Sequence, residues 1–245
     1  MRPNYTLPRL YLDRALSGDI ELSREQAHYF GGVLRKSLGD RVRLFNAGDG
    51  EWAAEIVQKG RKAMRLTVTE QLRAPQRVPD IRLLFAPLRK HRTTIVLEKA
   101  TELGVRTLQP VITHHTQFPA FNVERAEAQI VEAAEQTERL DLPVVRAPVP
   151  LEDALSGTRT VVFADESGGD CVVGAVSRID LPVDILIGPE GGFSADERAQ
   201  IRARLDTVPV SLGPRILRAD TAAVGLLMIV QATIGDCRLA YLSGG

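Results

Sequence analysis

Cysteine is scarce in this chain. Only Cys171 and Cys237 occur in 245 residues and they form no Cys-x-x-Cys pair, which removes a disulfide framework or a cysteine-built zinc site from consideration. Buried, unreactive thiols are expected instead. The adjacent His114 and His115 have no metal-ligand spacing to either cysteine, so no metal is expected. Long apolar runs are missing too: no stretch reaches the roughly eighteen residues of a membrane-spanning helix. The opening Met1-Arg2-Pro3-Asn4-Tyr5 lacks the apolar core of a signal peptide, and a soluble, cytoplasmic protein is the expectation. Neither Gly-x-Gly-x-x-Gly nor Gly-x-x-x-x-Gly-Lys-Ser/Thr appears, which disfavours a Rossmann oxidoreductase or a P-loop enzyme. Net charge is absent as well, with 31 Lys or Arg against 31 Asp or Glu.

That neutrality hides an asymmetry. Residues 1–92 carry 18 basic against 10 acidic side chains, and residues 93–245 carry 13 against 21. A basic half suggests contact with nucleic acid, whose phosphates dominate affinity. Arginine makes up 26 of the 31 basic residues, and its planar fork suits phosphate. Solvated surface arginines would give the same count, so charge leaves both readings open.

Two domains fit the length and the 44% hydrophobic content. Residues 1–73 hold short β-type segments at 10–12, 41–45, 52–57 and 64–68, with Asn46-Ala47-Gly48-Asp49-Gly50 as a hairpin turn. One helix is expected over 23–38, where Ala27, Phe30, Val33 and Leu34 recur at helical spacing before Gly39-Asp40. A small β-barrel-like domain results. Residues 74–79, with two prolines, read as a linker. Residues 80–245 alternate strands, at 81–85, 108–112, 160–164, 183–187 and 208–212, with helices at 92–103, 123–140, 194–205 and 221–234. That alternation predicts an α/β domain with a mostly parallel sheet.

Two glycine-containing segments follow strands in that domain: Ile187-Gly188-Pro189-Glu190-Gly191-Gly192-Phe193-Ser194 and Leu212-Gly213-Pro214-Arg215-Ile216-Leu217-Arg218-Ala219-Asp220-Thr221. Open α/β sheets bind ligands at such strand ends. Ser194-Ala195-Asp196-Glu197 is a capping box that starts the next helix at Ser194. Pro214 is expected to hold Gly213 extended, and Asp220 or Thr221 to cap the last helix. By the residues alone these turns are either ordinary or a ligand grip.

The order of these motifs closely resembles the SPOUT methyltransferases, specifically the 16S ribosomal RNA (uracil-N3) methyltransferase family. The similarity extends to His28 with Val33-Leu34-Arg35 and Gly39-Asp40, to Lys99-Ala100-Thr101-Glu102-Leu103-Gly104-Val105, and to Ala133-Ala134-Glu135-Gln136-Thr137-Glu138-Arg139. It covers almost the whole chain. It implies a PUA-like RNA-binding domain at 1–73, and over 80–245 a SPOUT domain whose mostly parallel sheet carries a trefoil knot. It also implies a homodimer, S-adenosylmethionine as cofactor, and small-subunit 16S rRNA as partner. Carried over by motif, Leu186, Gly188, Glu190, Gly191, Leu212, Gly213, Ile216, Leu217, Arg218 and Thr221 would line the cofactor pocket. Where the family commonly has Thr-Glu, this chain has Ala219-Asp220, one methylene shorter at the acid.

Methylation of uridine N3 needs loss of a proton and stabilisation of charge on the uracil oxygens. Arg218 is expected to supply that stabilisation and Asp220 to take the proton, with Glu190 as the lesser candidate; a local Arg218–Asp220 ion pair at the helix start is the plain alternative. Arg9, His28, Arg35 and Lys36 would contact RNA phosphate or sugar. Gln136 and Arg139, one helical turn apart, would reach one nucleotide or simply face solvent. The apolar helix from Thr221 fits either a monomer core or a dimer interface. Rival readings are a SPOUT enzyme acting on another RNA atom, such as a ribose 2′-hydroxyl or a tRNA base, and a non-catalytic RNA-binding ribosome assembly factor.

Overall fold

The computed structural model describes residues 6–60 and 63–238; residues 1–5, on which the signal-peptide reading falls, lie outside them. The chain divides into two compact units, one of residues 1–77 with Ala134–Asp141, the other of Val78–Ala133 with Leu142–Gly245.

In the first unit, β1 (Arg9–Tyr11), β2 (Asp19–Glu21), β3 (Arg41–Asn46), β4 (Gly50–Lys59) and β5 (Met64–Arg73) form one sheet in the order β1-β3-β4-β5-β2. The β3–β4 hairpin forms because Asn46 Oδ1 accepts from the amides of Gly48 and Asp49 at 2.9 and 2.7 Å. Gly50 then turns the chain at φ +79°, where a Cβ would sit 2.2 Å from the Arg73 carbonyl oxygen. Phe30, Leu44, Ile56 and Leu66 fill the core beneath. The helix expected over 23–38 is shorter. α1 (Arg24–His28), boxed by Ser23 and Gln26, passes into a π-helical turn at Tyr29–Val33. The Gly31-Gly32 pair offers no side chains to extend it, and Arg35 at φ +54° has left the helical region.

A buried ion cluster ties Ala134–Asp141 into this unit. Glu51 accepts from Arg9 Nε at 2.7 Å and Arg73 Nε at 2.9 Å, with Arg43 Nη1 at 3.6 Å. Arg9 also donates to the carbonyls of Ala134 and Arg139, and Arg43 Nη1 pairs with Glu138 Oε1 at 2.8 Å. Burial lowers the Arg9 pKa despite the bond it donates to Glu51. Burial likewise works against the Glu51 charge, but Arg73 and Arg9 overcome it and hold that carboxyl below its usual range.

The second unit is a doubly wound parallel sheet. Its strands are β6 (Ile81–Phe85), β7 (Thr107–Ile112), β8 (Val144–Val145), β9 (Val149–Pro150), β10 (Thr160–Ala164), β11 (Asp170–Cys171), β12 (Val183–Ile187) and β13 (Thr207–Ser211). The order is β11-β13-β10-β12-β6-β7-β8, with β9 also on β7 and every pairing parallel. Side-chain alternation divides the core in two. Ile81, Leu83, Phe85, Val183, Ile185 and Ile187 face a cluster that includes α2 (Lys90–Glu102) and α7 (Ala219–Thr233). Leu84, Leu186, Val161 and Phe163 face α4 (Leu151–Ala154) and α6 (Ala195–Ala203). Central strands buried on both faces read as largely apolar runs, as at 81–85, 160–164 and 183–187, where the charged Arg82 and Asp184 pair with each other across β6 and β12. The remaining helices are α3 (Val123–Gln136) and α5 (Val172–Val176).

Three expectations change. α3 ends at Gln136 rather than at 140, since Glu138 adopts φ +62° and is held there by Arg43 and Arg73. Both cysteines are exposed, not buried: Cys171 sits on the two-residue edge strand β11 and Cys237 follows α7. Gly213 is not extended but turns at φ +108°, because glycine tolerates a conformation that outweighs the bias imposed by the following proline.

Candidate functional site

The carboxyl ends of the adjacent strands β10, β12 and β13 open into one cavity of about 280 Å³. Its walls are residues 164–166, 187–190 with Gly192 and Phe193, and 210–219. The site therefore rests on three strand ends, not two. The third, Ala164-Asp165-Glu166, escaped the sequence reading, although a strand running into Asp-Glu-Ser-Gly-Gly is itself a turn signal.

The turn after β12 is shaped by close packing. A Cβ on Gly188 would lie 2.7 Å from the Phe193 ring, which stacks edge-on against Phe163 with centroids 5.3 Å apart. Gly192 turns at φ +67° with its α-carbon against the Glu166 carboxylate. Ser194 caps α6 as expected: its Oγ accepts from the Glu197 amide at 3.2 Å, and Glu197 Oε2 accepts from the Ser194 amide at 2.8 Å. Glu197 Oε1 accepts a third bond, from the His114 amide at 2.7 Å. The segment after β7 is thereby pinned to this turn, where His115 Nδ1 lies 3.2 Å from the Gly192 carbonyl oxygen.

Asp165, fully buried at the end of β10, gathers the Ser167 amide at 2.9 Å, the Ser167 hydroxyl at 2.8 Å, Arg202 Nε at 2.7 Å and the Arg198 guanidinium. Burial opposes its charge, but these donors and the nearby arginines hold the carboxyl below the usual range. The carboxylate thereby anchors α6 to the cavity wall.

Gly188, Glu190, Leu212, Gly213, Ile216, Leu217 and Arg218 come together around the cavity. Leu186 is fully buried in the core cluster of Phe163 and Phe193, Gly191 is exposed beside His115, and Thr221 is exposed on α7; none of the three lines it. Arg218 is the N-cap residue of α7, and no side chain caps that helix. No Arg218–Asp220 ion pair forms. Asp220 instead takes Arg92 Nη1 on both oxygens at 3.1 Å. Arg92 lies in the first turn of α2, 128 residues away in sequence. No local pattern could have announced that pairing.

In the first unit, His28 and Arg35 are exposed, Lys36 is partly exposed and Gln136 is exposed. Arg9 and Arg139, expected to contact RNA, do not face solvent. Each is buried, Arg9 in the Glu51 cluster and Arg139 on Asp141 Oδ1 at 2.8 Å, so their donors serve packing within the unit and not an RNA strand. The helix end at Gln136 also removes the shared helical face expected for Gln136 and Arg139.

The donor set fits S-adenosylmethionine. Ile187, Leu212 and Leu217 offer apolar walls for an adenine, Glu166 and Glu190 offer acceptors for hydroxyl or cationic groups, and the glycine turns expose backbone. Among the described residues no cluster of His, Cys, Asp and Glu could hold a metal ion, and no helix is long and apolar enough to cross a membrane.

Comparison with known proteins agrees with this geometry. An RNA methyltransferase domain model matches residues 75–231, and an RNA methyltransferase PUA domain model matches residues 22–69. Ribosomal RNA small subunit methyltransferase E of Rickettsia conorii is 32% identical over 238 residues, covering 94% of this chain and 97% of its own. The protein of that name from Synechocystis is 32% identical over 233 residues, covering 91% and 76%. Among solved structures, a methyltransferase from Legionella pneumophila with bound S-adenosylmethionine superposes with a TM-score of 0.82 at 29% identity, covering 94% of this chain and 99% of that one.

Proposed function

Since the chain belongs to the RNA methyltransferase family, we propose that it transfers a methyl group from S-adenosylmethionine to N3 of a uridine in the 16S rRNA of the small ribosomal subunit. The observation that carries this reading is the single cavity built by the ends of β10, β12 and β13, with Arg218 at its rim. S-adenosylmethionine supplies an electrophilic methyl group when bound. Ile187, Leu212, Gly213, Ile216 and Leu217 hold its apolar part, and Glu166 and Glu190 its polar groups.

The chain's own catalytic work is positioning and charge stabilisation. Arg218 has no carboxylate partner among the described residues and faces the negative charge that develops on the uracil oxygens. Asp220, fixed by Arg92, receives the N3 proton. His28, Arg35 and Lys36 of the PUA-like domain, together with Gln136 at the end of α3, contact RNA backbone. The protein acts in the cytoplasm as a homodimer with the knotted chain path of SPOUT enzymes. Met228, a large apolar side chain 44% exposed on α7, supports a partner surface there, with Val224 and Ile229 half-buried nearby.

Primer extension on small subunits from a strain lacking the protein, before and after incubation with enzyme and cofactor, tests the reaction, because an N3-methyl blocks base pairing. A new stop at one uridine is expected. Methylation elsewhere overturns the N3 assignment, and no cofactor binding by calorimetry overturns the enzyme reading altogether. In single-turnover assays Arg218→Ala should slow transfer by about 10²–10³-fold; Asp220→Asn at the wild-type rate would remove that acid from the mechanism. Sedimentation as a monomer at micromolar concentration would overturn the homodimer.

A further inference from the structure

A second cavity of about 290 Å³ adjoins the first and shares Glu190 and Arg218 with it. Its other walls are Arg89, Arg92 and Gln117, so three arginines converge on a space next to the cofactor cavity. We propose that this cavity holds a phosphodiester of the RNA strand at the target nucleotide, with Arg89 and Arg92 as its positioning residues. The inference rests on the methyltransferase reading and assigns the substrate's backbone a place beside it.

The donors are available. Arg92 uses only Nη1 on Asp220, which leaves its Nε and Nη2 hydrogens without a partner among the described residues. The Asp220 contact fixes the guanidinium rather than consuming it, since an arginine presents five donors in a planar fork. Arg89 is exposed, has no ion pair among the described residues, and sits 5.9 Å from the centre of the Phe118 ring. Arg89 and Arg218 are the N-cap residues of α2 and α7, and neither helix has a side-chain cap. Two helices of 13 and 15 residues thus start at this cavity, with their positive ends adding to the arginine charge. A forked cation beside helix starts matches a phosphate better than it matches a neutral base edge. The placement is also economical for the chemistry: a phosphate gripped here presents its nucleoside toward Arg218 and Glu190, the residues common to both cavities.

The test measures affinity for a 16S-derived uridine-containing RNA across a salt series, with cofactor affinity measured separately by calorimetry on the same full-length variants. Loss of one phosphate contact to a single strand reduces the slope of log K against log salt by about 0.7. Arg89→Ala should show that reduction and about tenfold weaker RNA binding, while S-adenosylmethionine affinity stays within twofold. Arg89→Lys should keep the slope and recover part of the affinity. Because Arg89 is exposed and unpaired, its melting temperature should match the wild type; Arg92→Lys, which keeps the charge near Asp220, is the second variant. Arg92→Lys should keep the slope and lose affinity through the missing fork; an unchanged slope in Arg89→Ala, or wild-type RNA affinity in both Arg89→Ala and Arg92→Lys, overturns the proposal. So does a loss of cofactor affinity with RNA binding intact, which would assign the arginines to the cofactor's carboxylate. If the wild type binds RNA but transfers no methyl group, the methyltransferase reading fails while the salt slopes still decide the phosphate site.

Discussion

At the scale of single residues, Gly188 carries the clearest steric constraint. Its missing side chain makes room for the Phe193 ring, which is 7% exposed and forms both the cavity wall and the edge-on partner of Phe163. Gly188→Ala forces that ring to move within a close-packed layer, a change of the kind that costs about 1–3 kcal/mol. The melting temperature should fall by roughly 2–4 °C per kcal/mol for a chain of this size, and cofactor affinity by about tenfold because the wall is displaced. Calorimetric titration with S-adenosylmethionine checks this, and unaltered affinity would mean that Phe193 does not shape the bound state. Gly213 makes a useful contrast: a Cβ there meets nothing within 4 Å, yet φ is +108°. Gly213→Ala should therefore act through backbone strain alone.

Among the secondary-structure elements, α6 depends on Glu197 more than on Ser194. Ser194→Ala removes one acceptor from the cap and should lower stability by about 1 kcal/mol. Glu197→Ala removes the acceptor of two backbone amides, those of Ser194 and His114, and should lower the urea midpoint further. Equal midpoints would show that the His114 bond adds nothing. This cap was readable from four consecutive letters because its partners are local. The central strands were readable because burial on both faces leaves largely apolar runs, broken at Arg82 and Asp184, which pair with each other across β6 and β12. The two-residue strands β8, β9 and β11 are too short to leave a pattern. The ends of α1 and α3 depend on the positive φ of Arg35 and Glu138, which hydrophobic spacing does not encode. For the candidate site, motif order brought seven residues to one cavity, whereas Asp165, Glu166 and the Arg92–Asp220 pair arise from tertiary neighbours. Motif similarity likewise marked Arg9 and Arg139 without revealing that both are buried.

For the molecule as a whole, the two units carry separate acid-sensitive anchors, Glu51 in the first and Asp165 in the second. Both carboxyls are held below their ordinary range in the folded protein, so the unfolded chain takes up their protons first as pH falls. Their contribution is complete above about pH 5 and is lost as pH drops through the lowered folded values. The single tryptophan, Trp52, neighbours Glu51 on β4 and donates its indole N–H to the Asp49 carbonyl at 2.9 Å. Its fluorescence therefore reports the first unit. Glu51→Gln leaves Arg9, Arg73 and Arg43 around a neutral group; breaking a buried pair from one side costs about 3–5 kcal/mol. At pH 7 the urea midpoint followed by Trp52 should fall accordingly, and between pH 5 and 3 it should depend on pH less steeply than in the wild type, because the group that drove the slope no longer titrates. Asp165→Asn should leave the Trp52 slope as it is. An acid slope in Glu51→Gln as steep as the wild type's would place the acid sensitivity of the first unit outside its buried arginine cluster.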